Sequence, residues 1–385
     1  MRSETRLEIK DQDLSPRSCK VWSKVAVIVL NWNGWRDTIE CLESLFRNNY
    51  PNYQVIVVDN GSTDGSLEKI KKWAEGKQEI VTPELSHLLC HLSHPPIAKP
   101  IPYIEFNRKK AEEGGNPKRE NELISKWVKK KTHSPTYLST HYPLIFIQTE
   151  ENLGFAGGIN VGIRYSLTKG DFRYIWLLNN DTVIEGSSLK ELVFGIERYT
   201  NVVAVGSKIL YYDNPKLLQN VGSKIDKKSF FKLCKPILDL NKENVDMGQY
   251  DNDFEVNDII GASLLVKKEI VQKIGLMPEE YFLYGEETDW NFNFQKHGYK
   301  LMTICRSKIY HKKGRAIGGD DSPITLYYRS RNQLILHRKY MNLPLYVSYA
   351  SLYFIKKIFS ALKLNNKSQK IIFKALFDGI KRIKL

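Results

Sequence analysis

The chain has 385 residues, 42% hydrophobic and 26% charged, which allows a sizeable core in one large domain with additions or in two domains. Its five cysteines (Cys19, Cys41, Cys90, Cys234, Cys305) are scattered and odd in number, which argues against a disulfide framework and for a reducing compartment. The formal net charge of +15 points to an anionic partner such as nucleotide phosphates, an acidic membrane surface or nucleic acid, and no apolar run reaches the ~18 residues of a spanning helix.

Residues 1–20 are polar and aperiodic, and read as a loose tail without a signal-peptide pattern. Residues 25–30 are a continuous apolar, β-branched run and predict a buried strand, broken by Asn31-Trp32-Asn33-Gly34. The spacing of Ile39, Leu42, Leu45 and Phe46 predicts a helix. Residues 55–58 predict a second buried strand, which stops in the polar, glycine-containing turn of residues 59–66. A strand–helix–strand order implies a parallel pair with both turns on one edge. Asp59 there can accept hydrogen bonds from a base or ribose.

From about residue 75 to 142 the periodicity lapses in a stretch rich in Pro, Lys, Glu and His, read as an insertion or lid. His87, Cys90, His91 and His94 are potential zinc ligands, but no second ligand pair stands at a standard spacing, and ordinary packing roles suit them better. Residues 126–131 read as a solvated basic face rather than a nucleic-acid site. Residues 144–147 predict a third strand running into the glycine-rich turn 151–160. Glycines there let backbone approach a phosphate, and the helix beyond presents free N–H groups. The spacing is not that of the dinucleotide fingerprint.

Residues 174–178 form an apolar strand that ends in Asn179-Asn180-Asp181-Thr182. Ligands of open α/β sheets bind outside the carboxyl ends of the strands. A carboxylate placed there can hold a hard divalent cation, so Asp181 is a candidate metal ligand; the alternative is a turn or N-cap residue. Residues 189–198 predict a helix, and 202–205 and 209–212 predict strands. Residues 213–254 are turn-rich and resist placement. Residues 256–266 predict a strand interrupted at Gly261-Ala262-Ser263.

Glu286, Glu287 and Asp289 then crowd within four residues ahead of a helix that ends near Gly298. Carboxylates at a helix start also suit the dipole. Their number beside Tyr281, Phe282, Tyr284 and Trp290 points to a substrate cleft, where crowding raises a carboxylate pKa as a general base requires. Residues 300–304 predict a short strand, and His311 beyond it can complete a metal site as a neutral imidazole. After residue 343, Leu352, Ile355, Ile358, Phe359 and Leu362, and then Ile372, Leu376, Ile380 and Ile383, follow helical spacing. Nine Lys or Arg between residues 356 and 384 face one acid, Asp378. The segment reads as a membrane-surface element; the alternative is a helix packed on the domain with a solvated basic face.

Together these turns, in this order, resemble the family 2 glycosyltransferases of the GT-A fold, in the rhamnosyltransferase-like branch of surface-polysaccharide assembly. The motifs are residues 29–34, 57–66, 151–160, 178–182, 261–263, 284–290 and His311-Lys312-Lys313-Gly314. The resemblance implies an α/β fold with a Rossmann-like mixed sheet over residues 21–330. Residues 75–142 would be an insertion or lid, and 331–385 a basic amphipathic helical membrane-association segment. It implies that Leu30, Asn31, Asn33, Asp59, Asn60, Asn152, Gly154, Gly158, Asn179 and Asn180 bind the nucleotide sugar. Asn179 replaces the first acid of the family's D-x-D motif, so Asp181 with His311 would hold Mg²⁺ or Mn²⁺. Glu287 matches the catalytic base, with Asp289 as the alternative. Trp290, Gly261 and Arg331 would face the acceptor, with Tyr327, Tyr328 and Asn332 beside them.

The implied reaction is inverting transfer of rhamnose or a similar hexose from a nucleotide-diphosphate sugar to a glycan or polyprenyl-linked acceptor. The implied location is cytoplasmic, peripheral on the inner face of the cell membrane and in contact with its anionic surface, with no nucleic acid as partner. An inactive transferase-like binding subunit and a nucleotidyltransferase on a related sheet are the alternatives.

Overall fold

The computed structural model describes residues 22–78, 87–131, 142–225, 234–238, 244–312, 322–362 and 365–381. The tail read at residues 1–20, and Lys313 and Gly314 of the last motif, lie outside them, as do the side chains of residues 127–131.

The chain opens with β1 (Lys24–Asn31), α1 (Trp35–Leu45), β2 (Tyr53–Asp59) and α2 (Ser66–Ala74). The stretch read as an insertion contains α3 (Cys90–Ser93), β3 (Tyr103–Asn107), α4 (Arg108–Glu112) and α5 (Pro117–Lys131). Next come β4 (Leu144–Gln148), α6 (Gly154–Thr168), β5 (Phe172–Asn179), β6 (Thr182–Ile184), α7 (Ser188–Arg198) and β7 (Val202–Tyr211). Short strands β8 (Leu218–Asn220), β9 (Ser223–Ile225), β10 (Cys234–Pro236) and β11 (Phe254–Val256) precede β12 (Ser263–Lys267) and α8 (Lys268–Ile274). The chain continues with α9 (Glu286–Lys296), β13 (Lys300–His311), α10 (Pro323–Tyr340), α11 (Leu343–Ala361) and α12 (Asn366–Lys381).

The main sheet runs β11-β13-β7-β12-β5-β1-β2-β4-β3, with β6 paired to β13 and β8 to β7. Strands β5, β1, β2, β4 and β3 are mutually parallel, while β12 is antiparallel to both its neighbours. This is the mixed α/β sheet expected. Its register sets the site: Asn31 lies beside Asp59, and Leu30 beside Asn179. Three strand-end turns therefore share one edge.

Side chains alternate across the sheet. Val25, Val27, Val29, Val57, Trp176 and Leu178 face one core with α1, α2 and α7. Ala26, Ile28, Ile56, Ile175 and Leu177 face another with α6, α8 and α9. Both faces being covered explains why these strands read as unbroken apolar runs rather than alternating ones.

Two sequence expectations change. The stretch 75–142 also adds to the sheet: β3 pairs in parallel with β4 and becomes the edge strand. Its segment 87–101 seals the back of α1. There the buried Glu43 accepts from Lys99 Nζ (2.6 Å), Trp73 Nε1 (2.8 Å) and Ile97 N (2.8 Å). The imidazole of His87 stacks on Tyr212 at 4.4 Å, and Cys90 is buried. Among the described residues no three His, Cys, Asp or Glu side chains gather as a metal site. The boundary expected at 330/331 falls inside α10, whose middle is bonded to the loop ahead of α9.

The last three helices enclose a small core of Leu334, Tyr346, Tyr349, Tyr353, Ile372 and Leu376. Outside it, α11 exposes Leu345, Val347, Leu352, Ile355 and Phe359, and α12 exposes Phe377 and Ile380. Among the described residues no helix is long and apolar enough to cross a membrane.

Candidate active site

The first two turns are laced together. Asn31 Nδ2 donates to Asp59 Oδ1 (2.7 Å) and to Ser62 Oγ (3.1 Å), while Thr38 Oγ1 donates to Asn31 Oδ1 (2.8 Å). Ser62 Oγ also donates to Asp59 Oδ1 (2.6 Å), and the Asn33 and Thr63 backbones complete the lacing. Asp59 is 1% exposed and spends its oxygens inside this network. Asn31, Asn33 and Asp59 therefore shape the rim, while their neighbours Leu30 and Asn60 line the cleft. Asn60 Nδ2 donates to Asn152 Oδ1 (3.1 Å) and to Gly154 O (3.0 Å), fixing the glycine turn. Gly154 has φ +75°, and a Cβ on it would stand 2.4 Å from Phe282 O. Only glycine suits both demands. Gly158 is a packing position: a Cβ there would strike Leu30 Cδ1 at 2.5 Å, and it does not line the cleft.

The turn after β5 carries Asn179, Asn180 and Asp181. Because β6 pairs with the end of β13, His311 comes opposite Thr182 and beside Asp181. His311 Nε2 lies 3.1 Å from Asp181 Oδ1, and Lys312 N donates to Asp181 O (2.9 Å). Burial alone would raise the Asp181 carboxyl; the His311 ring and then Lys312 outweigh it and hold it below the usual carboxylate range. Lys312 Nζ is itself gripped by Asp37 Oδ1 (2.6 Å) and Glu40 Oε2 (2.5 Å). Asn180 Nδ2 donates to Thr38 Oγ1 (3.0 Å), tying this turn to the first. One carboxylate and one imidazole at the mouth of a cleft are a donor set that suits a hard divalent cation completed by phosphate oxygens and water.

The opposite wall is the start of α9. Gly285 (φ +103°) turns the chain so that Glu286 and Glu287 face the cleft. Burial first, and then the nearby Asp258, push the Glu287 carboxyl up to about 7, against backbone N–H groups that include those of Gly261 and Gly285. Burial and then Glu287 likewise raise Glu286 well above the carboxylate range. Among the described residues Oε2 of each has no hydrogen-bond partner. Asp258 stands behind, accepting from Asn291 Nδ2 (2.9 Å) and Thr288 Oγ1 (3.3 Å).

The cleft between these walls has a volume of about 480 Å³. It holds Leu30, Asn60, Asn152, Gly154, Asn179, Asn180, Asp181, Gly261, Glu287 and His311 together. Besides Asn31, Asn33, Asp59 and Gly158, three more expected site residues lie outside the lining: Asp289, Trp290 and Arg331. Asp289 is 1% exposed and committed to Lys339 Nζ (2.5 Å) and the Tyr340 hydroxyl, so it has no free oxygen for a substrate. Trp290 is 1% exposed and donates to Gly275 O (3.0 Å), a core role. Arg331 is 3% exposed and bonds Glu280 O and Tyr281 O, while Asn332 bonds Tyr281 O, Leu283 O and Tyr284 O. These two side chains hold the loop from behind and do not meet an acceptor. Tyr327 bonds Asp378, and Tyr328 stacks on Phe282 at 4.8 Å. The cleft is instead walled by Trp32, Tyr211, Phe282, Tyr284, Ile324 and Arg329, whose guanidinium lies 4.6 Å over the Tyr284 ring. Sequence reasoning missed Gln219 and Arg329 in this lining, and Asp258 behind it. Gln219 comes from a stretch without usable periodicity, and Asp258 lies in the stretch 256–266 that reads as one strand but leaves the ladder between β11 and β12. Arg329 differs in helix phase from Arg331.

A mixed sheet whose strand ends gather an acid, an imidazole and a raised carboxyl around one cleft presents a ligand site outside the carboxyl ends of its parallel strands. The chain belongs to glycosyl transferase family 2, whose model matches residues 26–84 and 129–275, more than half of it. It is 28% identical, over 60% of this chain and 77% of the other, to the dTDP-rhamnosyl transferase RfbF of Shigella flexneri. It is 24% identical to the low-salt glycan biosynthesis hexosyltransferase Agl10 of Haloferax volcanii, over 42% of this chain and 50% of that one. Among solved structures it is similar to GalNAc-T7 with UDP, GalNAc and Mn²⁺, at 12% identity and a TM-score of 0.48, covering 94% of this chain and 57% of that one. The protein is a glycosyltransferase.

Proposed function

We propose that this enzyme transfers rhamnose or a similar hexose, with inversion, from a nucleotide-diphosphate donor to a hydroxyl of a glycan or lipid-linked glycan in cell-surface polysaccharide assembly. The observation that carries the reading is the cleft itself: Glu287, a carboxyl held near neutrality with an unpartnered oxygen, faces the same cavity as Asp181 and His311. Asp181 and His311 would hold Mg²⁺ or Mn²⁺, which supplies charge stabilisation to the departing diphosphate. Leu30, Asn60 and Asn152 line the nucleotide side, and Tyr284, Phe282 and Arg329 the acceptor side. Glu287 accepts the proton of the acceptor hydroxyl as its oxygen attacks the anomeric carbon.

The apolar residues on the open side of α11 and α12, among lysines such as Lys356 and Lys374, support peripheral binding to an anionic membrane, where a lipid-linked acceptor resides. Sedimentation with vesicles of anionic and of neutral lipid tests this; retention by anionic vesicles alone, lost in high salt, is expected.

The catalytic reading is tested by a donor screen with Mn²⁺, in which thermal stabilisation selects the nucleotide sugar. Product analysis of the hit follows. Release of a nucleoside diphosphate is expected, release of pyrophosphate would make the protein a nucleotidyltransferase, and no turnover with any donor would make it a binding subunit.

A further inference from the structure

We infer that Gln219 is a positioning residue of the cation site, fixing which ring nitrogen His311 turns toward Asp181. The inference rests on the cation reading above and goes beyond it to a residue outside every motif of the site.

Gln219 is the middle residue of β8, and its place in the ladder is irregular. Ile209 of β7 pairs with Asn220, while the next residue, Leu210, pairs with Leu218. Gln219 is the extra residue of a bulge, the device that re-aims a side chain at the edge of a site. Its side chain lines the cleft and meets His311 twice. Gln219 Nε2 donates to the backbone carbonyl of His311 (3.2 Å), and Gln219 Oε1 lies 2.6 Å from His311 Nδ1. The first bond decides the orientation of the amide, since a backbone carbonyl only accepts. The amide oxygen is thus the atom facing Nδ1, and it too only accepts, so Nδ1 carries the proton. His311 is left with Nε2 as the atom 3.1 Å from Asp181 Oδ1. With Nδ1 held by Gln219, Nε2 is the ring nitrogen presented to a cation beside the carboxylate oxygen. Without the Gln219 amide Nδ1 loses the partner that sets the ring's orientation. The bulge belongs to a stretch otherwise far from the motifs, so its aim at His311 is a specific placement.

The test uses the purified full chain and Mn²⁺, titrated by electron paramagnetic resonance, alone and with UDP or dTDP present. Gln219→Leu keeps the bulk and removes both hydrogen bonds; Gln219→Glu keeps an acceptor for Nδ1. Outer partners of metal-binding histidines typically contribute about 10–100-fold in affinity. Gln219→Leu is expected to weaken Mn²⁺ by that factor at an unchanged melting temperature, with Gln219→Glu binding at least as tightly as the wild type. Equal binding by Gln219→Leu and wild type overturns the inference. So does equal weakening in both variants, which would mark a packing role. If the wild type itself takes up no Mn²⁺ with or without nucleotide, it is the cation reading that fails.

Discussion

Glu287→Gln separates the base from a merely structural carboxyl, because two consequences of opposite sign follow from one environment. The folded chain lifts this carboxyl from 4.5 to about 7 through burial and the neighbouring Asp258. A carboxyl raised in the fold is protonated there while the unfolded chain has already ionised it, so the native state loses stability as pH rises from 4.5 to about 7. Over that interval the loss amounts to roughly 3 kcal/mol. Glutamine does not ionise and escapes it. The variant should match or exceed the wild type by about 1 kcal/mol near pH ~5.5, and by about 3 kcal/mol near pH ~8. Urea unfolding at the two pH values reads the difference directly. Turnover should fall by about 10²–10⁴-fold, the usual contribution of a general base. The wild-type kcat/KM should rise with pH through about 7, where the base ionises. A stability difference that does not widen with pH would show that the carboxyl is not raised. Full turnover in the variant would place the base elsewhere.

Other consequences are more direct. Asp258→Asn removes the charge second to burial in raising Glu287; the other titratable groups around that cleft are Glu286, Asp181, His311 and Arg329. The acid limb of the kcat/KM profile should move to lower pH, and an unmoved limb would refute the coupling. Asp289→Asn breaks a buried contact with Lys339 and Tyr340, and should lower stability by about 1–3 kcal/mol while leaving kcat/KM nearly unchanged; a collapse of turnover in folded protein would make Asp289 the base. Gly154→Ala forces a left-handed φ on a side chain and drives its Cβ into Phe282 O, so stability should fall by at least ~1–2 kcal/mol, with a raised KM for the donor in steady-state assays.

The parts of this fold that were legible share a physical cause. Strands covered on both faces show as apolar runs, and each run stopped in a polar or glycine-rich turn at the edge where ligands bind. That exposed Asn60, Asn152 and Asp181, while Glu287 showed instead through the crowding of carboxylates at a helix start. The edge strand β3 was lost because its YIEFN sequence is half-buried and short, amid lysines and prolines. Gln219 was lost because a three-residue strand has no period to read. Asp289 was over-read: two residues past Glu287 on a helix, it points some 200° away, into the Lys339–Tyr340 contact. The pairing of His311 with Asp181 was expected from the resemblance, but its cause, the β6–β13 ladder, was invisible in either segment alone.

The loop before α9 holds Phe282 and Tyr284 at positive φ and hangs from Arg331 and Asn332. Helix α10 is thus a splint for the loop that walls the cleft. Shortening the polypeptide ahead of α10 to improve its handling would let that loop relax and silence the enzyme. The loss would then be mistaken for a need for lipid.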